Sequence, residues 1–246
     1  MNKPVQVIDS GSQADTGSNR LETVSEPESA TLFGSPTPRI HTPLNDLPSR
    51  GFEVIDLAAE LKQELMPWQK FVLEHSHKTL PNGRWATPLN CVTVARQNGK
   101  SYLMNIRILA GLFLWDESIQ IGSAHRLSTS FEQFRHLERM IEGSDSLSKQ
   151  VKRIRRRHGE EEIETIKGNR FIIRAAGSAS RGVSAPETIH LDELREMKDL
   201  ETYSSLRFTL MAAKNPMVMA YTNAGESTSL ILNQIRERAL AAIAGN

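Results

Sequence analysis

The chain has 246 residues, 39% of them hydrophobic and 24% charged, which is the ordinary profile of a globular protein with material for one large domain or two small ones. A formal net charge of only +1 excludes a global field driving it onto nucleic acid, so any such binding needs a local patch. The single cysteine, Cys91, excludes an internal disulfide framework and fits a reducing cytosol.

Residues 1 to about 48 are rich in Ser, Thr, Pro, Asn and Asp, and their few apolar residues follow no period. Such a segment buries too little surface to offset its ordering entropy, so a disordered arm is expected over 1–48 and a folded domain over 49–246. The N-terminus lacks the apolar core of a signal peptide. The longest strongly apolar run, Ile108 to Trp115, falls well short of the ~20 residues a bilayer span needs. A soluble intracellular protein is expected, with no membrane partner.

From Gly51 the pattern changes. "PWQKFVLEH", Pro67 to His75, opens on a proline and spaces its apolar residues as a helix does. "NCVTVA", Asn90 to Ala95, is a short β-branched run of the kind found in buried strands. A polar loop follows, and then "YLMNIRILAGLFLW" reads as a largely buried helix. "SIQIGSA", Ser118 to Ala124, is a further strand, and Leu127 to Ile141 an amphipathic helix. Two hairpins come next, one turning at His158-Gly159 and one at Gly168-Asn169. "ETIHLDE", Glu187 to Glu193, is a strand ending in two acids, followed by helix-like sequence to about Ala213. The strand "PMVMAYTNAG", Pro216 to Gly225, and a helix from about Ser227 complete the chain. Strands alternating with helices imply an α/β fold: a mainly parallel sheet with helices on both faces and β-hairpins before the acidic strand.

The polar loop carries the first chemistry. Gly99-Lys100-Ser101 is how a phosphate-binding P-loop ends, but the glycine expected five residues earlier is Val94. Backbone N–H groups leading into a helix form an anion nest, Lys100 adds charge for β and γ phosphates, and Ser101 is placed to ligate Mg²⁺. By itself "GKS" also occurs in surface loops. The acidic strand end supplies the complement. Asp192 suits the metal's side of a nucleotide site, and Glu193 suits a base that orients the attacking water. Two solvated acids at a strand end would read the same alone. Both motifs in this order, each on a fitting strand, point to nucleotide hydrolysis.

Three further stretches leave alternatives open. "YTNAG", Tyr221 to Gly225, follows an apolar strand and offers small polar groups to a γ-phosphate, or is a plain β-turn. Gln69 has an amide able to read an adenine edge with Trp68 nearby, or is a solvated helix-start glutamine. The basic run Lys149, Lys152, Arg153, Arg155, Arg156 and Arg157 could meet DNA phosphates, or pair across its hairpin with Glu160, Glu161, Glu162 and Glu164.

Taken in order, "MPWQKFVLEH", "VARQNGKS", "TIHLDE" and "YTNAG" resemble the ATPase domain of phage large terminase subunits, the motors that pump DNA into capsids. The resemblance covers about residues 51 to 240, and in that family the P-loop commonly lacks its first glycine and carries an arginine, here Arg96. It implies a P-loop NTPase fold of the additional-strand type. It also implies ATP and Mg²⁺ binding by Trp68, Gln69, Arg96, Gln97, Asn98, Gly99, Lys100 and Ser101, with Asp192 on the metal and Glu193 as base. Thr222, Asn223, Ala224 and Gly225 would couple hydrolysis to movement. Arg181, in the small-residue loop "AAGSASRGVSAPE", resembles the arginine that such motors lend to a neighbouring subunit, with Arg96 as the competing finger within its own subunit. Implied partners are double-stranded DNA, the portal, the small terminase subunit and further copies in a ring, in the host cytoplasm and transiently on the procapsid. One departure is large. Family members usually carry a C-terminal nuclease domain, whereas the stretch after Gly225 holds only Glu226 and Glu237 as carboxylates, so no nuclease activity is expected. The remaining readings are another helicase-like P-loop ATPase and a non-catalytic fragment that binds portal or DNA.

Overall fold

The computed structural model describes residues 35–124, 127–157, 161–175, 183 and 185–245, and the chain from Ser35 onward forms one compact unit. Of the arm expected over 1–48, residues 1–34 lie outside the described residues. Residues 35–48 carry neither helix nor strand, and His41 rests against Phe71 with ring centroids 5.9 Å apart.

Among the described residues seven α-helices and seven strands follow. Helices α1 (Gly51–Glu60) and α2 (Pro67–Ser76) precede strand β1 (Leu89–Thr93), and helix α3 (Lys100–Phe113) leads into β2 (Ile119–Ala124). Then come α4 (Leu127–Glu142), the short α5 (Asp145–Ser148), β3 (Val151–Arg155), β4 (Glu162–Thr165), β5 (Arg170–Ala175) and β6 (Thr188–Asp192). Helix α6 (Leu200–Thr209), strand β7 (Met217–Thr222) and helix α7 (Leu230–Ile243) close the fold. Helix α1 carries no proline or cap signal in the sequence, yet Val54, Leu57 and Ala58 fall on one face at helical spacing and are buried.

The strands form one sheet in the order β1-β7-β6-β2-β5-β4-β3. The first five run parallel, while β5 pairs antiparallel with β4 and β4 with β3. The strand pairs of both expected hairpins are therefore present, the turn expected at His158-Gly159 lying outside the described residues, and β7 lies between β1 and β6 as the additional strand. β1 departs from expectation: it is an edge strand, only partly buried, with Thr93 exposed. Val92 packs against one core and Leu89 and Cys91 against the other, but only β7 lies beside the strand, and a short apolar run could not reveal that missing neighbour.

Alternation along β6 and β7 builds two cores. Ile189, Leu191, Val218 and Ala220 pack with Leu206, Ile231 and Leu232 beneath α6 and α7. Met217, Met219 and Tyr221 point to the opposite face, with Leu103, Ile106 and Leu109 of α3 and Phe134 and Leu137 of α4. The registers Thr93–Thr222, Asp192–Tyr221, Ala124–Asp192 and Ala124–Ala175 align the carboxyl ends of all five parallel strands. In open α/β sheets that edge is where ligands bind.

Candidate functional site

The loop after β1 resolves the missing glycine. Val94 N–H donates to the Thr222 carbonyl at 3.0 Å, so Val94 prolongs the strand pairing and the turn begins only after it. Gln97 (φ 61°) and Gly99 (φ 79°) both take left-handed backbone, which folds the loop back over the start of α3. Arg96, Gln97 and Asn98 are exposed, and Asn98 Nδ2 donates to the Arg96 carbonyl at 2.9 Å. The left-handed φ favours glycine at position 99, and a Cβ there would lie 2.8 Å from Gln69 Nε2 and push that amide aside.

Gln69 supports this loop from below. It is 1% exposed; its Nε2 donates to the Gly99 carbonyl at 2.9 Å, and its Oε1 accepts from Met66 N–H at 2.8 Å. The solvated reading of Gln69 is thereby corrected, because helix α2 turns the amide inward under the loop. An adenine contact has the second Nε2 hydrogen and the second Oε1 lone pair left to use. Trp68 is partly buried against the main core, and its Nε1 has no protein partner.

Lys100 opens α3 and is nearly buried, its Nζ 2.7 Å from Glu193 Oε1 and 3.4 Å from Asp192 Oδ1. Both acids stand at the end of β6, one strand beyond β7. Burial pushes the Asp192 carboxyl above the usual carboxylate range; Lys100 pulls it back and Glu193 raises it further. Glu193 itself is held at φ 52°, ψ 48°, a left-handed conformation that costs a non-glycine residue about 1–2 kcal/mol. Strain of that kind at a strand end between charged groups makes Glu193 a candidate for a functional role.

Ser101 is exposed and shares with Asp192, Asn105, Gln133, His136 and Arg139 a cleft of about 600 Å³ between α3 and α4. Among the described residues no cluster of three or more His, Cys, Asp or Glu could cage a metal. Mg²⁺ needs none, since it commonly takes one or two protein oxygens and leaves the rest of its shell to water and phosphate. The hydroxyl of Ser101 and the carboxylate of Asp192, hard oxygen donors on one cleft, fit that pattern.

The end of β7 closes the arrangement. Thr222 Oγ1 accepts the Arg195 backbone N–H at 3.1 Å and donates to the Asn223 carbonyl at 2.9 Å. Asn223 Nδ2 is 3.5 Å from Glu193 Oε1, and its buried Oδ1 has no protein partner. Ala224 and Gly225 follow on the surface, where a Cβ at Gly225 would lie 2.9 Å from both Leu232 Cδ2 and Ser229 Cβ. Arg195, whose Nε is 3.4 Å from Glu193 Oε2, had no signal in the sequence beyond its place two residues after the acids.

Thus the fold brings Lys100, Ser101, Asp192, Glu193, Thr222 and Asn223 to one edge, with Gln69 beneath. Arg181 lies outside the described residues. The basic run is largely neutralised. Lys152 and Arg153 each reach Glu164 at 2.6 Å, Arg155 reaches Glu162 at 3.6 Å, and Arg156 pairs with Glu138 of α4. No helix among the described residues is long and apolar enough to cross a membrane.

A family model for the terminase large subunit ATPase domain matches residues 67–239. Among solved structures, the large terminase of bacteriophage HK97 matches with a TM-score of 0.65 at 18% identity, over 78% of this chain and 42% of that one. The large terminase ATPase domain of Thermus phage P74-26 matches with a TM-score of 0.54 at 15% identity, over 75% and 73%. At such identities the structural likeness speaks for the fold, and the chain spans less than half the length of the HK97 protein. No curated protein sequence is significantly similar to the chain.

Proposed function

The chain belongs to the terminase large subunit ATPase-domain family, and from that premise we propose that it hydrolyses ATP to move double-stranded DNA into a procapsid. The observation that carries this reading is the meeting of Lys100, Asp192 and Glu193 at the carboxyl edge, with Glu193 Oε1 2.7 Å from Lys100 Nζ.

In this reading the exposed loop Arg96–Asn98 and Gly99 receive the phosphates on backbone N–H groups, and Lys100 turns from its acids to the β and γ oxygens. Ser101 and Asp192 hold Mg²⁺, which when bound supplies positive charge to the phosphate oxygens. Glu193, released from Lys100, aligns a water for in-line attack and takes its proton. Trp68 and Gln69 lie on the adenine side. Thr222 to Gly225, at and just after the end of β7, feel the change, because Thr222 holds the turn after Glu193 through the Arg195 N–H. Arg181 is assigned to a neighbouring copy's γ-phosphate in a ring; Arg96, acting within its own subunit, is the competing finger. Portal, small terminase subunit and DNA are the partners, met in the host cytoplasm and on the procapsid.

Steady-state ATP hydrolysis with and without double-stranded DNA tests the reading. Mg²⁺-dependent turnover that DNA stimulates supports it, and absence of ATP binding overturns it.

A further inference from the structure

Glu193 is held by more than Lys100. Its Oε1 faces Lys100 Nζ and, at 3.5 Å, Asn223 Nδ2; its Oε2 faces Arg195 Nε at 3.4 Å. Neither Glu193 Oε2 nor Arg195 Nε has a hydrogen-bonding partner, although both atoms are buried. Buried polar atoms of opposite charge left facing one another are unusual and call for a cause.

The backbone makes the meeting possible. Left-handed Glu193 caps a 3₁₀ turn over Leu194–Glu196, which folds the chain so that side chains two residues apart converge. The other ends of Arg195 are fixed independently. Its Nη2 lies 2.9 Å from Glu196 Oε1, and its backbone N–H donates to Thr222 Oγ1 on β7. The backbone of Arg195 is therefore anchored to the neighbouring strand, while its guanidinium is shared between Glu193 and Glu196 of the same turn.

Lys100 cannot serve phosphate and Glu193 together. When phosphate takes the lysine, Oε1 loses its nearest cation and the carboxylate would be free to rotate about its last torsion. We propose that Arg195 is a positioning residue for Glu193: it holds Oε2 while Oε1 turns to the attacking water, and ties that orientation to β7 through Thr222. This rests on Glu193 being the base.

The test compares Arg195→Ala, Arg195→Lys, Arg195→Gln, Glu193→Gln and the double variant Glu193→Gln/Arg195→Ala. Turnover, KM for ATP and nucleotide affinity are measured with thermal melting as a check on folding. Arg195→Ala should lower kcat by about 10-fold to 100-fold with KM and affinity within about twofold, as misplacing one group does. Arg195→Lys should recover part of the rate. In the Glu193→Gln background, Arg195→Ala should change the residual rate by less than about twofold, since both act on one step. Parental kcat in Arg195→Ala, or an equal further loss in the Glu193→Gln background, overturns the inference and leaves the ATPase reading standing. Parental turnover in Glu193→Gln overturns the base assignment itself and this inference with it. Should Arg195→Ala melt early, Arg195→Lys must still outpace Arg195→Gln; equal rates overturn the proposal.

Discussion

Lys100 and Glu193 neutralise one another across the gap between the loop after β1 and the end of β6, Nζ to Oε1 at 2.7 Å. The cation that would bind phosphate and the carboxylate that would drive attack are thus withheld together. In the proposed function, phosphate arriving at Lys100 would free both at once, so that the base would be uncovered only when substrate is in place. This link makes the site's parts interdependent, and the predictions below follow from that and from the buried contacts around it.

Gln69 is expected to matter for the loop more than its place at a helix start suggests. Gln69→Ala leaves the Met66 N–H without its partner, at a cost of about 1–3 kcal/mol, and leaves the Gly99 carbonyl with the Leu103 N–H alone. Urea denaturation should register that loss, and titration with a fluorescent ATP analogue should register weaker binding. A variant with parental stability and affinity would remove the anchoring role.

Acid should weaken the fold through two histidines. Burial holds His77 and His190 well below the usual histidine range, and the Arg107 guanidinium lowers both further. Unfolding lets each take up a proton that the fold refuses. Their contribution is therefore complete above the ordinary value of about 6.5 and is lost as pH falls below it, at about 1.4 kcal/mol per pH unit for each. Denaturation at pH 7.5, 6.5 and 5.5 should trace this slope, and His77→Gln should roughly halve it. A stability that does not change over this window would contradict the neutral buried state.

Arg107 is fully buried in α3, donating to His77 Nε2 at 2.7 Å, to both Glu117 oxygens at 2.7 and 3.1 Å, and to Thr188 Oγ1 at 3.1 Å. Arg107→Met strands Glu117 in the interior and should destabilise by about 3–5 kcal/mol. Adding Glu117→Met should restore much of that loss. Breaking the exposed Arg135–Glu132 pair should cost no more than about 1 kcal/mol. Equal effects at the two sites, measured by urea denaturation, would contradict the burial argument.

If Arg181 serves a neighbour, Arg181→Ala and Lys100→Ala should each be inactive alone and partly active when mixed. The first keeps an intact loop, and the second keeps the finger. Normal hydrolysis by assembled Arg181→Ala would remove the finger role. Inactivity that mixing never rescues would place Arg181 within its own subunit.

Much of this arrangement was legible in the sequence because its signals were local. A β-branched run, a Gly-Lys-Ser ending and an apolar helix identify the loop in chain order, and Ile189 and Leu191 followed by two acids identify β6. The turn at Gly168 announced its hairpin, and that glycine takes φ 90° as the turn requires. What stayed hidden depends on contacts between distant segments. That β1 is an edge strand follows from sheet order, which no single strand encodes. The inward turn of Gln69 needs Gly99, which lies in another element, and the place of Arg195 depends on the left-handed Glu193 and on Thr222 in β7. Helix α1 escaped because its apolar face is narrow and its start is a glycine packed onto the Leu73 carbonyl.

The central claim, that this edge hydrolyses ATP with Glu193 as base, is tested most directly by ATP turnover in Glu193→Gln beside nucleotide titration of the same protein. The amide keeps the shape of the side chain but cannot accept a proton. The account predicts parental nucleotide affinity with turnover lowered by about 10²- to 10⁴-fold. Turnover at the parental rate would contradict it.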